Sequence, residues 1–271
     1  MNHDSFLEIG SQHKVCEDFI ISGINPCPYV ILSDGCSGSK NSNYGAMILV
    51  QMARRYLVGI RNPRFGDIDY DDMGNWIIMC SRPIAALMGL NNSCLDATLI
   101  VSYLWNGNVH VYVYGDVCII TKSRSEVFYS TISFSCDAPY YLSYREDDAR
   151  RWAYEDGGHS KEVKLRSLDG ETVYEGTKRF DCSSHYTFNY NLFQEVYIAS
   201  DGINSFVRNG ERLPAGDVIK GFLDIDRENR DEKTKGVFVQ RRCRKALKGF
   251  KKEGWDHYDD ISFGGFLCGI S

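Results

Sequence analysis

The sequence predicts an α+β fold built on antiparallel sheet. Two β-rich runs, Asp96–Trp105 and Val109–Tyr114, flank Asn106-Gly107, a pair that favours the positive-φ positions of a two-residue hairpin turn. So short a connection joins antiparallel strands and excludes a βαβ crossover at this point. Apolar residues recur at helical spacing elsewhere, most clearly in Tyr44–Val58, where one stripe runs from Ala46 to Leu57. Strands and helices therefore occur in separate segments.

The remaining elements follow from apolar periodicity and from the turn residues that bound each run. Further strands are predicted at Ser5–Ile9, Asp18–Ser22, Tyr29–Leu32, Val117–Lys122, Glu126–Ile132, Glu195–Ala199 and Ile261–Cys268. Further helices are predicted at Met73–Gly89, with a break near Pro83, and at Ala215–Leu223 and Gly236–Lys252. Residues 135–192 are less regular and rich in charged and aromatic residues, so they are expected to form a surface flap or insertion. No linker or repeat divides the chain, and residues 1–271 are expected to form a single domain.

Composition narrows the function classes. The chain has 271 residues and a formal net charge of −5, which argues against a nucleic-acid binder. Its ten cysteines include no Cys-x-x-Cys pair, and the first residues, MNHDSFLEIGSQHK, lack the apolar core of a signal peptide. Free thiols in a reducing, cytoplasmic compartment are therefore expected. No apolar run approaches the ~20 residues that span a bilayer, so no membrane association is expected.

Acidic residues recur at the predicted strand ends. They are Glu17, Asp18, Asp34, Asp116, Asp201, Asp259 and Asp260. Carboxylates that converge at one rim of a sheet repel one another unless a cation is bound, and Mg²⁺ and Mn²⁺ prefer oxygen ligands. Glycine after Asp34 and Asp201 also lets the backbone come close. Asp-Gly is equally a common turn pair, so the pattern alone leaves a metal site and a set of simple turns both open.

The order of several motifs indicates a family. These motifs are HKVCED (His13–Asp18), VILSDGCSGS (Val30–Ser39) followed by Tyr44-Gly45-Ala46, DATLIV (Asp96–Val101), VYGD (Val113–Asp116), YIASDGI (Tyr197–Ile203) and DDIS (Asp259–Ser262). Each is short, but together they span nearly the whole chain. In this order they resemble the metal-dependent protein serine/threonine phosphatases, the type 2C or PPM family.

The resemblance implies a four-layer α-β-β-α sandwich of two antiparallel sheets flanked by helices. It also implies two Mn²⁺ or Mg²⁺ ions at one end of the sandwich, and a weaker third. Asp34 matches the carboxylate that bridges the two ions, and Gly35 matches a carbonyl ligand. Asp201 and Asp259 match further ligands of the first ion. The remaining metal positions are Glu17 and Asp18 near the second ion and Asp116 near the third.

The implied activity is hydrolysis of phosphoserine and phosphothreonine on proteins by a water that two metal ions activate. Asp34 and His13 are the predicted catalytic residues, and His13 and Lys14 the predicted contacts of the substrate phosphate. A phosphorylated protein substrate and a cognate Ser/Thr kinase are the implied partners.

Three departures from the family pattern bear on substrate binding rather than on the metals. His13 stands where an Arg often grips the phosphate, and a His lacks the bidentate fork of Arg. Cys36 stands where a His often follows the first Asp-Gly. Val117-Cys118 replaces Ser-Arg after Asp116. The pattern indicates a divergent, bacterial-like member.

Two other function classes stay open. A non-catalytic phosphatase-like domain could bind a phosphorylated partner or act as a regulator, since the substrate-gripping residues differ. A metal phosphoesterase acting on a small molecule is the other alternative. The basic face of the predicted helix Gly236–Lys252 is read as solvated surface, with an acidic partner as its alternative.

Overall fold

Two antiparallel sheets pack face to face and carry helices on both outer sides. A computed structural model describes residues 2–60, 68–224 and 237–268. The seven-stranded sheet has the order β1-β15-β11-β6-β7-β8-β9, and the five-stranded sheet has the order β10-β5-β4-β3-β2. A small third sheet has the order β13-β12-β14. The four-layer α+β sandwich predicted from the sequence is confirmed.

The strand bounds, in chain order, are as follows. They are β1 Asn2–Glu8, β2 Phe19–Gly23, β3 Tyr29–Ser33, β4 Leu99–Trp105, β5 Asn108–Tyr114, β6 Val117–Lys122, β7 Val127–Phe134, β8 Ser160–Ser167, β9 Thr172–Arg179, β10 His185–Asn189, β11 Glu195–Ala199, β12 Phe206–Arg208, β13 Glu211–Arg212, β14 Asp256–His257 and β15 Ile261–Leu267. The predicted hairpin joins β4 to β5, where Asn106 and Gly107 both have positive φ.

Five α-helices complete the described layers. They are α1 Ser42–Arg55, α2 Tyr70–Leu87, α3 Asp148–Asp156, α4 Ala215–Leu223 and α5 Phe238–Lys252. A π-type turn, Tyr56–Ile60, continues α1 past Val58, the end predicted for that helix. The predicted start of the last helix, Gly236, lies outside the described residues.

Period-two alternation in the strands separates three cores. In β3, Val30 and Leu32 face the second sheet, where they join a core with Ile198 of β11. Ile31, between them, faces the opposite way and packs in the core that holds Leu49 of α1. On the other outer side, α4 and α5 cover the seven-stranded sheet. Each helix pair therefore buries one outer face of the sandwich.

The helix α2 corrects two expectations. It runs unbroken through Pro83, whereas a break was predicted there. Pro83 lies on the exposed face, so water can reach the carbonyl that loses its intrahelical partner. The helix also begins earlier than Met73, because the Asp69 side chain accepts hydrogen bonds from the N–H groups of Asp71 and Asp72 at 2.9 Å.

The segment 135–192 is more regular than its sequence suggested. The strands β8 and β9 extend the seven-stranded sheet, and β10 forms an edge of the five-stranded sheet. Only the stretch around α3 and the turns before it lies outside the two sheets. The strands were missed because β9 is exposed on both faces and shows no apolar alternation.

A buried ion-pair network ties α5 to the seven-stranded sheet. Glu195 at the start of β11 accepts from Lys122 at 2.8 Å and from Arg242 at 2.9 Å. Burial acts to raise the pKa of Glu195, but the charges of Lys122 and Arg242 lower it overall. Arg242 also donates to the Tyr197 hydroxyl at 2.8 Å. This network lies at the end of β11 opposite Asp201. No helix among the described residues is long and apolar enough to cross a bilayer.

Lys161 of β8 is a buried cation without a carboxylate among its hydrogen-bond acceptors. Its ammonium donates to the Ser184 hydroxyl at 2.8 Å and to the Cys182 carbonyl. Burial lowers the pKa of Lys161 to about 8. Because this folded pKa lies below the unfolded value, the unfolded chain binds more protons between the two values, and stability from this group rises with pH there.

Replacing Lys161 by Met should remove that pH dependence. The free energy of unfolding of the wild type, relative to Lys161→Met, should rise by roughly 2 kcal/mol between pH 7 and pH 10. Urea denaturation at a series of pH values measures this difference. The exposed Lys40 provides the matched control, and Lys40→Met should track the wild type. A difference between wild type and Lys161→Met that stays constant with pH would contradict the assignment.

Candidate functional site

The first half of the candidate site lies where β2 begins and β3 ends. These strands are antiparallel neighbours, and Phe19 lies opposite Ser33. Asp18 immediately precedes the first of these residues and Asp34 immediately follows the second. The backbone N–H of Asp34 donates to the Thr98 hydroxyl at 3.0 Å, which ties the loop to the start of β4. Strand pairing therefore places the carboxylates of Asp18 and Asp34 side by side.

The second half comes from the facing sheet. Cys118 of β6 lies opposite Ala199 of β11, and β11 also pairs with β15. Asp116 comes just before β6, Asp201 just after β11, and Asp259 just before β15. All three therefore leave their strands at the same end of the sheet. Two separate sheets bring acidic residues to one rim.

The pKa values show that four of these carboxylates interact. Burial raises the pKa of Asp34 well above its usual range, and the negative charges of Asp18, Asp201 and Asp116 raise it further. Burial also raises the pKa of Asp18 to about 7, although the nearby hydroxyls of Ser262 and Ser200 favour its charged form. The four acids therefore form one electrostatic unit, in which burial disfavours the charged forms of Asp18 and Asp34.

Two carboxylate oxygens in this unit are buried without a partner. They are Asp18 Oδ2 and Asp116 Oδ1, neither of which has a hydrogen-bond partner among the described residues. Burial, and then the charge of Asp201, raises the pKa of Asp116 to about 8. Buried polar oxygens are normally satisfied, so such oxygens are open to a proton, a water or a cation. Nevertheless, within residues 2–60, 68–224 and 237–268 no three His, Cys, Asp or Glu side chains are arranged to hold a metal ion.

Glu17 and Gly35 meet at the start of α1. The Ser42 hydroxyl donates to Glu17 Oε1 at 3.1 Å, and the Gly35 N–H donates to the Glu17 carbonyl at 3.2 Å. A Cβ at position 35 would lie 2.9 Å from that carbonyl oxygen. Glycine at this position therefore lets the Asp34 loop approach the Glu17 segment closely.

Asp260, a neighbour of the predicted ligand Asp259, binds the backbone of the loop that precedes the rim residue Asp18. Its carboxylate accepts from the N–H of Gly10 at 2.7 Å and from the N–H of Glu17 at 2.5 Å. Burial alone would raise the pKa of Asp260, but contact with His13 and these N–H groups lowers it. The sequence suggested only an acidic pair in a loop, and nothing in it distinguished the buried member from its neighbour.

His13 lies between the two acids of that pair. Its Nδ1 is 3.0 Å from Asp260 Oδ2, in a close ion-pair contact that is not aligned as a hydrogen bond, and its Nε2 is 3.6 Å from Asp259 Oδ1. Burial acts to lower the pKa of His13, but Asp260, Asp259 and Glu17 raise it overall. Lys14 is exposed. The imidazole predicted to contact phosphate is therefore already held by carboxylates.

Tyr141 enters the site from the segment before α3. Burial raises the pKa of the Tyr141 phenol, and the adjacent Cys36 thiol and the Asp116 and Asp34 carboxylates contribute to the increase. The sequence predicted a flap or insertion over residues 135–192, which include Tyr141, but did not single this residue out. Tyr141 therefore covers the loop in which Cys36 replaces the usual His.

Asp96 anchors the same loop. Its carboxylate accepts from Ser39 at 3.1 Å, from Ser143 at 2.7 Å and from Arg150 at 2.8 Å, and its carbonyl accepts from the Cys36 N–H at 3.0 Å. The motif DATLIV drew attention to Asp96 without giving it a role. Asp96 joins the loop after Asp34 to the chain around α3.

Comparison with solved structures identifies the fold. A bacterial serine phosphatase matches with a TM-score of 0.61 at 14% identity, over 100% of this chain and 99% of that one. The serine/threonine phosphatase Stp1 from Staphylococcus aureus matches with a TM-score of 0.57 at 14% identity, over 97% and 93%. The chain has the PPM phosphatase fold. The catalytic domain of the phosphatase PstP, solved in complex with 2 manganese ions, matches with a TM-score of 0.52 at 13% identity, over 97% and 96%.

Sequence comparison adds nothing to this finding. No protein-family description and no curated protein matches the chain. Identities of 12–14% to the phosphatase structures are too low to transfer an activity. The PPM phosphatase fold is therefore shown by its structure, and the chemistry has to be argued from the site.

In the second Asp-Gly pair, Asp201-Gly202, close packing against the backbone requires a glycine. A Cβ on Gly202 would lie 1.8 Å from the carbonyl oxygen of Asp260, which belongs to a backbone that cannot move aside cheaply. Gly202→Ala should therefore lower the free energy of unfolding by about 2 kcal/mol or more. Urea denaturation measures the loss. Gly249→Ala is the control, because nothing lies within 4 Å of a Cβ there and helix propensity favours Ala. Equal stability of Gly202→Ala and the wild type would contradict the packing argument.

Proposed function

We propose that the chain hydrolyses phosphoserine and phosphothreonine on proteins, and that it needs Mn²⁺ or Mg²⁺ for this. The PPM phosphatase fold supports a phosphatase. The observation that carries the proposal is the convergence of Asp18, Asp34, Asp116 and Asp201 at one rim, where burial raises the pKa values of Asp18, Asp34 and Asp116 and neighbouring acids add to the increase. A fold gains nothing in stability from such a group, so a ligand that neutralises it explains its presence.

The donor chemistry fits a hard divalent cation. Every predicted ligand offers oxygen, which Mg²⁺ and Mn²⁺ prefer, and Asp18 Oδ2 and Asp116 Oδ1 still lack partners. We assign the cations to the set predicted from the sequence. The set is Glu17, Asp18, Asp34, the carbonyl of Gly35, Asp116, Asp201 and Asp259. Bound cations would lower the pKa of a water and neutralise phosphoryl charge.

The protein itself supplies positioning and charge. Asp34 lies centrally, since its pKa responds to three other acids of the rim. His13, whose pKa is raised by the carboxylates around it, keeps a positive charge at the rim to higher pH than an ordinary histidine. That charge favours a phosphate dianion, and Lys14 adds a second, exposed cation beside it. Phosphoprotein substrates and a cognate Ser/Thr kinase as partner are part of this proposal.

Asp34→Asn tests the proposal, because the amide keeps the size of the side chain and loses its charge. Turnover of a phosphothreonine peptide in the presence of Mn²⁺ should fall by about a hundredfold or more, since loss of even an outer partner of a metal site costs roughly 10–100-fold. Calorimetric titration with Mn²⁺ should show weaker binding. Asp72→Asn, an exposed position on α2, should behave as the wild type in both measurements.

Thermal unfolding of the same variant separates a binding defect from a folding defect. Because folding raises the pKa of Asp34, its charged form costs stability at neutral pH, and metal-free Asp34→Asn should unfold at a higher temperature than the wild type. Mn²⁺ should then stabilise the wild type more than the variant. Mn²⁺ binding without turnover on either the peptide or p-nitrophenyl phosphate would favour a non-catalytic domain. Turnover of p-nitrophenyl phosphate alone would favour a small-molecule phosphoesterase.

A further inference from the structure

A groove separate from the acidic rim lies between α5 and the small sheet of β12, β13 and β14. Its volume is about 290 Å³. The apolar part of its lining comes from Phe206, Leu247, Phe250 and Trp255. Their rings and methyl groups line a concavity wide enough for one apolar side chain. We call it the α5 groove.

Cations border the α5 groove on one side. Arg244, Lys248 and Lys251 all line it, and their spacing of four and three residues puts them on one face of α5. All three are exposed, and none makes an ion pair with a carboxylate in the described part of the chain. The neighbouring Arg242 and Lys245, by contrast, pair with Glu195 and Asp224.

This combination selects a class of partner. We propose that the α5 groove binds an acidic segment of another protein through one apolar side chain in the concavity and carboxylates against Arg244, Lys248 and Lys251. The chain carries a net charge of −5, so a cluster of unpaired cations on one helix face departs from the average surface. Complementary charge gives a surface of this kind its specificity and speeds association.

The wall of the α5 groove favours a peptide over other polyanions. Glu8 and Asp256 also line it, and their carboxylates can accept hydrogen bonds from peptide N–H groups, which are donors that a nucleic-acid backbone lacks. The apolar face of α5 is already buried against the seven-stranded sheet through Phe238, Val239 and Cys243. The α5 residues Leu247 and Phe250 are half-buried in the groove, and no apolar side chain of α5 is exposed for insertion into a membrane.

The α5 groove adjoins the segments that build the acidic rim. His257, which also lines the groove, makes a 2.9 Å hydrogen bond through Nδ1 to the carbonyl of Asp259. Glu8 lies two residues before Gly10, whose N–H binds Asp260. A docked segment would thus lie beside the rim, yet binding can be measured whether or not the chain hydrolyses phosphoesters.

Fluorescence anisotropy with the full chain tests the proposal. The probe is a labelled octapeptide of Asp and Glu with one central Leu, and a matched peptide has Ser in place of Leu. The Leu peptide should bind saturably and the Ser peptide more weakly. The double variant Arg244→Glu/Lys248→Glu should bind the Leu peptide about tenfold or more weakly, equivalent to ~1.4 kcal/mol. Arg124→Glu, an exposed position in the turn between β6 and β7, should bind as the wild type does.

Other outcomes would overturn the assignment. Equal binding of the Leu and Ser peptides would show attraction by charge alone, without use of the concavity. Unchanged binding by Arg244→Glu/Lys248→Glu, with a native circular dichroism spectrum, would place the peptide elsewhere. Tighter binding of a single-stranded oligonucleotide, or of phosphatidylserine vesicles, than of the Leu peptide would reject an acidic protein segment as the occupant.

Discussion

The geometry of the acidic rim depends on one buried carboxylate, that of Asp260. It accepts the N–H groups of Gly10 and Glu17, so it fixes both ends of the loop between β1 and β2. Its carbonyl packs against Gly202, the residue after Asp201. A single residue therefore sets the relative positions of three chain segments that carry predicted ligands. The charge of Asp260 is stabilised by N–H groups and by His13, so it competes little for a cation.

Asp96 holds loops in place at the end of the five-stranded sheet, as Asp260 does at the end of the seven-stranded sheet. Its carboxylate binds Ser39, Ser143 and Arg150, and so connects the loop after Asp34 with the region around α3. That region also brings Tyr141 beside Cys36. The rim consequently has two kinds of acid. Some are satisfied by donors and shape the loops, while Asp18 and Asp116 each keep one buried oxygen that has no hydrogen-bond partner in the described part of the chain.

A sequence pattern predicts an element or a site residue when the interactions behind it act over a short stretch of the chain. Local patterns located the hairpin at Asn106-Gly107 and the strand ends at Asp34 and Asp201, because turn chemistry and apolar periodicity act within a few residues. The strand β9 gave no such signal, since its pairing with β8 and not its own burial holds it in the sheet. Likewise, sequence could not separate Asp259 from Asp260, because their difference depends on donors from Gly10 and Glu17, far away in the chain.

The two ends of β11 show why the unsatisfied acids point to a ligand. At its start, Glu195 is buried and the fold supplies Lys122 and Arg242, so the pKa of this carboxyl is lowered. At its other end, Asp201 faces Asp34 and Asp116, whose pKa values are raised by burial and by the charge of Asp201. The fold therefore pairs the buried Glu195 with two cations, whereas within the described residues no ion pair reaches Asp34, Asp116 or Asp201. Under the function proposed above, a cation taken up from solution would compensate the negative charge where the two sheets converge.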